Sequence, residues 1–337
     1  MNMKTNAKSV WMNWIVCSLC SLVFPVVGLA APITLKLGHT GAPKTIYDVV
    51  SYKLAERVAA NTRGNLEIKV FGNSQFGDIA QHWGQVKSGA IDIFMTEPVL
   101  SLIIEPEPKN FIVTITPYIF ENQDHYRKFI QSELFRSMMA KVEAAGNMKL
   151  IGYLGDRPPR ALTTTNRKVM SPADLKGLKI RTAMLPPAVE TWKEWGATPT
   201  PVAPAEIYTS LKSGLVEGQE NDISYARDAK LYEIQKYFIA IDYIRSGHGA
   251  WINQKKWDSL SEDMKRGMVK SAEETAFYIN KYSEEVITLA EKEIQEKGMT
   301  VLHPDLKPFR ESAERAVPRS DGKFWEKGLY DKIRALK

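Results

Sequence analysis

The chain has 337 residues, 44% hydrophobic and 25% charged, with 10% aromatic residues and two cysteines. This ordinary globular composition excludes a disordered or collagen-like chain and a disulfide-stapled miniprotein, and the length allows two domains of about 150 residues. The net charge of +6 arises from Lys and Arg interleaved with Asp and Glu, as from Lys281 to Glu285 and from Glu291 to Lys297. That reads as a solvated surface, not a phosphate-tracking stripe, so no nucleic-acid partner is expected.

Lys4 and Lys8 give a basic start, no acidic residue occurs within residues 1–30, and the stretch from Trp11 to Leu29 is apolar until Pro25 and Gly28 interrupt it. Gly28 and Ala30 then occupy the small-residue positions of a signal-peptidase site, so residues 1–30 read as a secretory signal peptide cleaved after Ala30. Cys17 and Cys20 have redox-motif spacing but lie in the apolar core of that leader, leaving the mature chain without cysteine. No later apolar run approaches the about 20 residues a membrane helix needs.

In the mature chain, Ile33, Leu35 and Leu37 alternate in a strand ending near His39. The pattern predicts a helix over 46–60, a strand over 66–71, a helix over 78–87 and a buried strand over 90–95. This β-α-β-α-β order is the signature of an open, mainly parallel α/β sheet. A helix over 123–145 and a strand over 149–154 follow, and Arg157-Pro158-Pro159 then punctuates the chain at a crossing between domains. Beyond it a second α/β unit is expected: strands at 161–165, 178–182 and 198–202, with helices at 188–195 and 205–212. Ser259 and Glu262 form a candidate capping box for a helix running to Lys297, interrupted only by Gly267. A helix of some 36 residues spans about 54 Å, too long for one lobe, so it is read as a strut between two.

The sequence holds no G-x-S-x-G elbow, no phosphate-cradling glycine loop and no H-E-x-x-H. His39, His82, His125, His248 and His303 are scattered without metal-ligand spacing, so no metal or other cofactor is expected. No nucleophile–base arrangement supports an enzyme. What stands out is Leu178-Lys179-Ile180-Arg181-Thr182, where an arginine closes an apolar strand. The carboxyl end of such a strand faces the ligand crevice of an α/β sheet, and a guanidinium there can grip a carboxylate through two parallel hydrogen bonds.

A long ordered series of motifs surrounds that strand. It comprises Leu175-Lys176-Gly177-Leu178-Lys179-Ile180-Arg181, then Trp195-Gly196-Ala197-Thr198-Pro199-Thr200-Pro201, then Glu206-Ile207-Tyr208 and Gly214-Leu215-Val216-Glu217-Gly218-Gln219-Glu220-Asn221. Looser matches are Gly38-His39, Asn73-Ser74-Gln75-Phe76-Gly77-Asp78 and Val86-Lys87-Ser88-Gly89-Ala90-Ile91-Asp92. Over nearly all of residues 33–335 the chain resembles the periplasmic solute-binding subunits of tripartite ATP-independent periplasmic (TRAP) transporters.

The resemblance implies a two-lobed periplasmic binding protein fold, type II-like, with crossing strands and a long lobe-spanning helix. Lobe I would comprise residues 31–157 with about 247–286, and lobe II residues 158–246 with about 287–337. It implies a periplasmic receptor that captures a small organic carboxylate, a sugar acid among the candidates, by lobe closure; a monomer is the simpler expectation, on which the sequence itself is silent. The receptor would deliver this acid to integral-membrane TRAP permease subunits driven by an ion gradient. The same fold presenting ligand to a chemoreceptor or sensor kinase is the alternative, and a periplasmic enzyme a more distant one.

Residue by residue, the resemblance assigns the carboxylate clamp to Arg181, a neutral donor to Asn221 and a second arginine to Arg160. That last match has one residue more than the family spacing. From the first lobe, Thr40 and Glu97 fall where members contact ligand, and His39, Tyr47 and Trp251 are candidate wall residues. Pro204 replaces an aromatic that several members place before the E-x-Y helix, so ring stacking is not expected there. Trp192 and Trp195, three apart on a helix, read as core.

Overall fold

The computed structural model describes residues 31–99, 109–183, 186–203 and 206–336. The signal-peptide reading, with Cys17, Cys20 and cleavage after Ala30, lies outside the described residues, as does Pro204. Nine strands are described: β1 (Ile33–Gly38), β2 (Leu66–Phe71), β3 (Ile93–Thr96), β4 (Met148–Thr164), β5 (Lys179–Thr182), β6 (Thr198–Pro201), β7 (Gly218–Asn221), β8 (Tyr237–Asn253) and β9 (Thr300–Leu302). They form one sheet in the order β2-β1-β3-β8-β4-β7-β5-β6, with β9 beside β8.

The order contains the same unit twice. In β2-β1-β3 and in β6-β5-β7 the central strand pairs in parallel with both neighbours, as β-α-β crossovers require. Between these blocks run β4 and β8, 17 residues each and antiparallel, so a two-lobed α/β architecture is joined by two long crossing strands. In each block the strand order reverses beside the first strand, and ligand crevices open there at the carboxyl ends of strands.

Local chemistry sets the helices. In Ile46–Asn61, Ile46, Val50, Leu54 and Val58 fall four apart and are buried against a core with Leu35, Leu37 and Leu66. Helix Ile79–Ser88 begins with a full capping box between Asp78 and Gln81 and ends at Gly89, whose φ of 82° suits glycine. The helix expected over 123–145 is two, Gln123–Gln131 and Glu133–Gly146. Ser132 ends the first in extended conformation and caps the second by accepting from the Phe135 N–H at 3.1 Å.

Two further expectations are corrected. Pro158-Pro159 does not divide two strands: β4 continues through the pair, which sits in a register shift between Arg157 and Arg160, where the ladder needs no proline N–H. The long helix is capped by Ser261, not Ser259, because Ser259 closes the short helix Gln254–Asp258. The long helix, Glu262–Glu296, passes unbroken through Gly267. A Cβ there would lie 2.7 Å from Thr62 Cγ2, so the glycine serves close helix–helix approach. At 35 residues, or about 52 Å, the helix packs on β4, on Ile46–Asn61 from the first block and on Ile223–Asp228 from the second. It is the strut between the lobes.

Where β4 crosses under that helix, Gly155 has a φ of 120°, and a Cβ there would meet Ile279 Cβ at 2.4 Å. Gly155→Ala therefore combines backbone strain with a core clash. It is expected to destabilise the protein by about 3 kcal/mol, read as a lowered urea midpoint at unchanged slope.

Candidate functional site

The carboxyl ends of β3, β5 and β7 deliver charge to the boundary between the two blocks. Glu97 follows β3, Arg181 lies near the end of β5, and β7 ends in Glu220 and Asn221 with Asp222 next. The crossing strand β4 adds Arg157 and Arg160, and β8 adds Tyr243, Ser246 and His248. All three guanidiniums are nearly sealed from solvent, Arg157 at 5%, Arg160 at 8% and Arg181 at 2% exposure, so their partners decide what each can do.

Arg157 is fully committed. Its Nε donates to Asp222 Oδ2 at 2.7 Å, Nη2 to Asn221 Oδ1 at 2.6 Å, and Nη1 to Glu97 Oε1. Glu97 also accepts from the Tyr47 hydroxyl at 3.2 Å and from Ser246 Oγ at 2.9 Å. Arg160 grips Glu220 in a fork, Nε to Oε2 at 2.6 Å and Nη2 to Oε1 at 3.0 Å, and the Tyr243 hydroxyl adds a bond to Glu220 Oε2 at 2.6 Å.

Arg181 differs. Its Nε donates to the Val202 carbonyl at 2.9 Å, and the nearest carboxylate oxygen among the described residues, Glu220 Oε1, is 3.6 Å from Nη1. Both terminal nitrogens thus lack a hydrogen bond among the described residues. Because Arg157 holds Asn221 Oδ1, the Asn221 amide nitrogen is left as a donor without a partner among those residues. Arg181 and Asn221 stand on adjacent strands β5 and β7, where Arg181 is opposite Gln219.

The pKa directions follow these commitments. Burial pushes the Glu97, Asp222 and Glu220 carboxyls up, but the arginines beside them and the hydrogen bonds they accept together outweigh it, leaving all three below the ordinary value. Arg181 is lowered by burial against the partial opposition of Glu220, whereas Arg160 is raised because it holds that carboxylate.

His248 is buried edge-on to the Tyr47 ring at 5.1 Å, and neither ring nitrogen has a hydrogen-bond partner among the described residues. Burial lowers its pKa to about 4 despite the raising influence of Glu97. Since the unfolded value is 6.5, the unfolded chain binds more protons between these limits. Stability from the neutral ring is full above about pH 6.5 and lost as pH falls toward 4, with a slope up to about 1.4 kcal/mol per pH unit. His248→Gln is expected to flatten that part of the curve in urea titrations at successive pH values. A parallel curve would place the titration elsewhere.

Of the eight residues singled out from sequence, Tyr47, Glu97, Arg160, Arg181 and Asn221 belong to this buried arrangement. Trp251 does not: on β8 its side chain lies opposite Phe94 and packs edge-on against Trp83 at 5.3 Å, in the hydrophobic core. His39 is buried beside Gly72 with Nε2 3.5 Å from Asp48 Oδ1, and the Thr40 carbonyl is 3.5 Å from the Ser74 hydroxyl. Neither reaches the guanidiniums through a hydrogen bond. Trp192 and Trp195 pack on each other at 4.9 Å in the core.

The reading from sequence missed Arg157, Glu220, Asp222, Ser246 and His248 as site members. Two open hollows, one lined by Asn61, Arg63 and Lys270 and one by Asn166, Lys168 and Glu217, contain no member of this network. No group of acidic residues, His and Cys suited to a metal occurs among the described residues.

Residues 37–322 match the profile of the bacterial extracellular solute-binding proteins, family 7. A curated solute-binding protein of Roseobacter denitrificans is 28% identical over 288 residues, covering 86% of this chain and 87% of the relative. The C4-dicarboxylate-binding periplasmic protein DctP of Rhodobacter capsulatus is 28% identical over 283 residues, covering 84% of each. The crystal structure of a TRAP periplasmic solute-binding protein from R. denitrificans with bound L-galactonate is 26% identical and superposes with a TM-score of 0.78 over 90% of this chain and 98% of that one.

Proposed function

The chain belongs to the bacterial extracellular solute-binding proteins, family 7, and from that premise we propose that it is a periplasmic receptor that captures a small organic acid and hands it to TRAP membrane permease subunits. It acts as a monomer and as a binding protein, not an enzyme. Lobe I comprises residues 31–157 with about 247–286 and lobe II residues 158–246 with about 287–337. Residues 1–30 are the export signal, removed after Ala30.

The observation that carries this reading is Arg181, a desolvated guanidinium with both terminal nitrogens free of hydrogen bonds among the described residues. A ligand carboxylate supplies the missing acceptors in a fork that no lysine can reproduce. The Asn221 amide nitrogen donates beside it, and Arg160, its charge already set against Glu220, lends the field of a fixed ion pair. Because these groups are shielded, the ligand enters only when the lobes part. Contacts from both lobes then favour the closed form by their differential affinity for it. On the first lobe the Tyr47 and Glu97 pair completes the wall.

The test is a thermal-shift panel of organic acids, each beside its uncharged counterpart, such as galactonate beside galactitol. A cognate acid at a hundred times its Kd stabilises the folded protein by about 2.7 kcal/mol, and the uncharged counterpart leaves the melting curve in place. Equal shifts from acid and alcohol would refute the carboxylate reading.

A further inference from the structure

The long helix Glu262–Glu296 has one face built into the fold and one that is not. Ala272 and Ile279 press on Gly152 and Gly155 of β4, while Lys270, Glu273, Phe277, Lys281 and Glu284 are exposed on the opposite side. At about 100° per residue these five lie within about 40° of one line, a straight ridge with Phe277 at its centre. Phe277 is 83% exposed, more than any other large hydrophobic side chain among the described residues. Its neighbour Tyr278 is tied down, stacked on Tyr282 and covered by Lys53 Nζ at 4.4 Å. No described ring or cation covers Phe277 in the same way.

The charges of the ridge are arranged about that ring. Glu273 and Lys281 stand four residues before and after it, and Lys270 and Glu284 seven before and after, so each charge has its opposite equally far along the helix. Nearer the helix start, charges are satisfied one turn along, Glu262 with Lys265 and Asp263 with Arg266. On the ridge, Glu273, Lys281 and Glu284 have no ion pair among the described residues, and Lys270 has only Glu274, at 3.7 Å.

We infer that this ridge is a self-association surface, on which a second copy of the chain lays its own ridge antiparallel about a two-fold axis at Phe277. Such an axis sets each residue against the one equally far on the other side of Phe277. Glu273 of each copy then meets the partner's Lys281, Lys270 meets the partner's Glu284, and the two Phe277 rings cover each other at the axis. A parallel pair would set Lys281 against Lys281 and Glu284 against Glu284, so the charges select the antiparallel form. A crossing angle near about 20° keeps both pairs in reach, about 6 Å and about 10 Å from the axis.

The surface is small. Five ridge residues a side fall short of the roughly 20–30 that stable interfaces use, so the dimer is weak, with a Kd on the order of 100 μM, and the dilute receptor acts as a monomer. Because the ridge points away from β4, pairing leaves the buried charges between the two strand blocks of each copy untouched.

The experiment is sedimentation equilibrium in low salt from about 10 μM to about 1 mM, where the average mass should climb toward twice that of the monomer. Phe277→Asp should abolish the rise. Glu273→Lys and Lys281→Glu, each alone, set like charges across the axis and should weaken association about tenfold or more. Mixed in equal amounts, these two variants regain attractive pairs in a heterodimer and should associate with the wild-type Kd, as should the double variant. Melting curves close to wild type show that the surface variants are folded. A wild type monomeric at the highest concentration, a dimer indifferent to Phe277→Asp, or a mixture no better than its parts would overturn the inference and leave the receptor reading intact. If the wild type stays monomeric but sediments with phosphatidylglycerol vesicles while Phe277→Asp does not, the face belongs to a membrane surface and the inference falls.

Discussion

Arg181→Ala is expected to weaken binding of the carboxylate ligand by about a hundredfold or more, equivalent to about 2.7 kcal/mol, without unfolding the protein. The side chain carries terminal donors that no described residue uses, so its removal is expected to fall on the ligand. Glu220 keeps its fork to Arg160 and its bond to Tyr243, so no carboxylate is stranded. Melting of the ligand-free variant should remain close to wild type. Arg181→Lys restores the charge but not the fork, and should recover only part of the affinity. Asn221→Ala removes one neutral donor and is expected to cost about tenfold. Titration calorimetry on the three variants reads all of these, and near-wild-type affinity in Arg181→Ala would contradict the assignment.

Arg157→Met should behave in the opposite way, damaging the fold. Glu97 and Asp222 are 4% and 2% exposed and would be left without their counter-ion. Removing one partner from a buried ionic network destabilises by about 3–5 kcal/mol, here a fall of roughly 5–8 °C in Tm. The pH dependence has a definite sign. Both carboxyls are held below their ordinary values in the folded protein, so this contribution is present above about pH 4 and lost as pH falls through the lower folded values. The gap between wild type and variant therefore closes in acid. Adding Glu97→Gln and Asp222→Asn to Arg157→Met should recover much of the stability, because neutral amides can be buried at lower cost. A variant that melts as wild type at neutral pH would show that Arg157 is not the counter-ion.

Much of this architecture is written in local patterns. The alternation of Ile33, Leu35 and Leu37, the four-residue spacing of Ile46, Val50, Leu54 and Val58, and the capping residues Asp78 and Ser132 each act over a few neighbours, so they can be read without the fold. The crossing strands were less legible. Pro158 and Pro159 look like a break until β8 is known to tolerate a shift beside them, and in β8 Asp242, Arg245, Gly247 and Gly249 interrupt the apolar alternation by which strands are recognised.

The site divides the same way. Arg181 was visible because it closes a short apolar strand. Arg157 was not, because its role depends on Glu97, 60 residues away, and on Asp222, 65 residues away. His248 looked like an isolated histidine for a similar reason: its burial against Tyr47 exists only once β8 crosses between the lobes. Trp251 shows the converse error. A large aromatic near a ligand site suggests a wall, but its position opposite Phe94 turns it into the core with Trp83.

The most direct measurement is a crystal structure with the tightest acid from the panel. The ligand carboxylate oxygens should lie about 2.8 Å from the terminal nitrogens of Arg181, with the Asn221 amide nitrogen beside them. An acid seated with its carboxylate turned from Arg181, or bound outside the space between the lobes, would contradict the account.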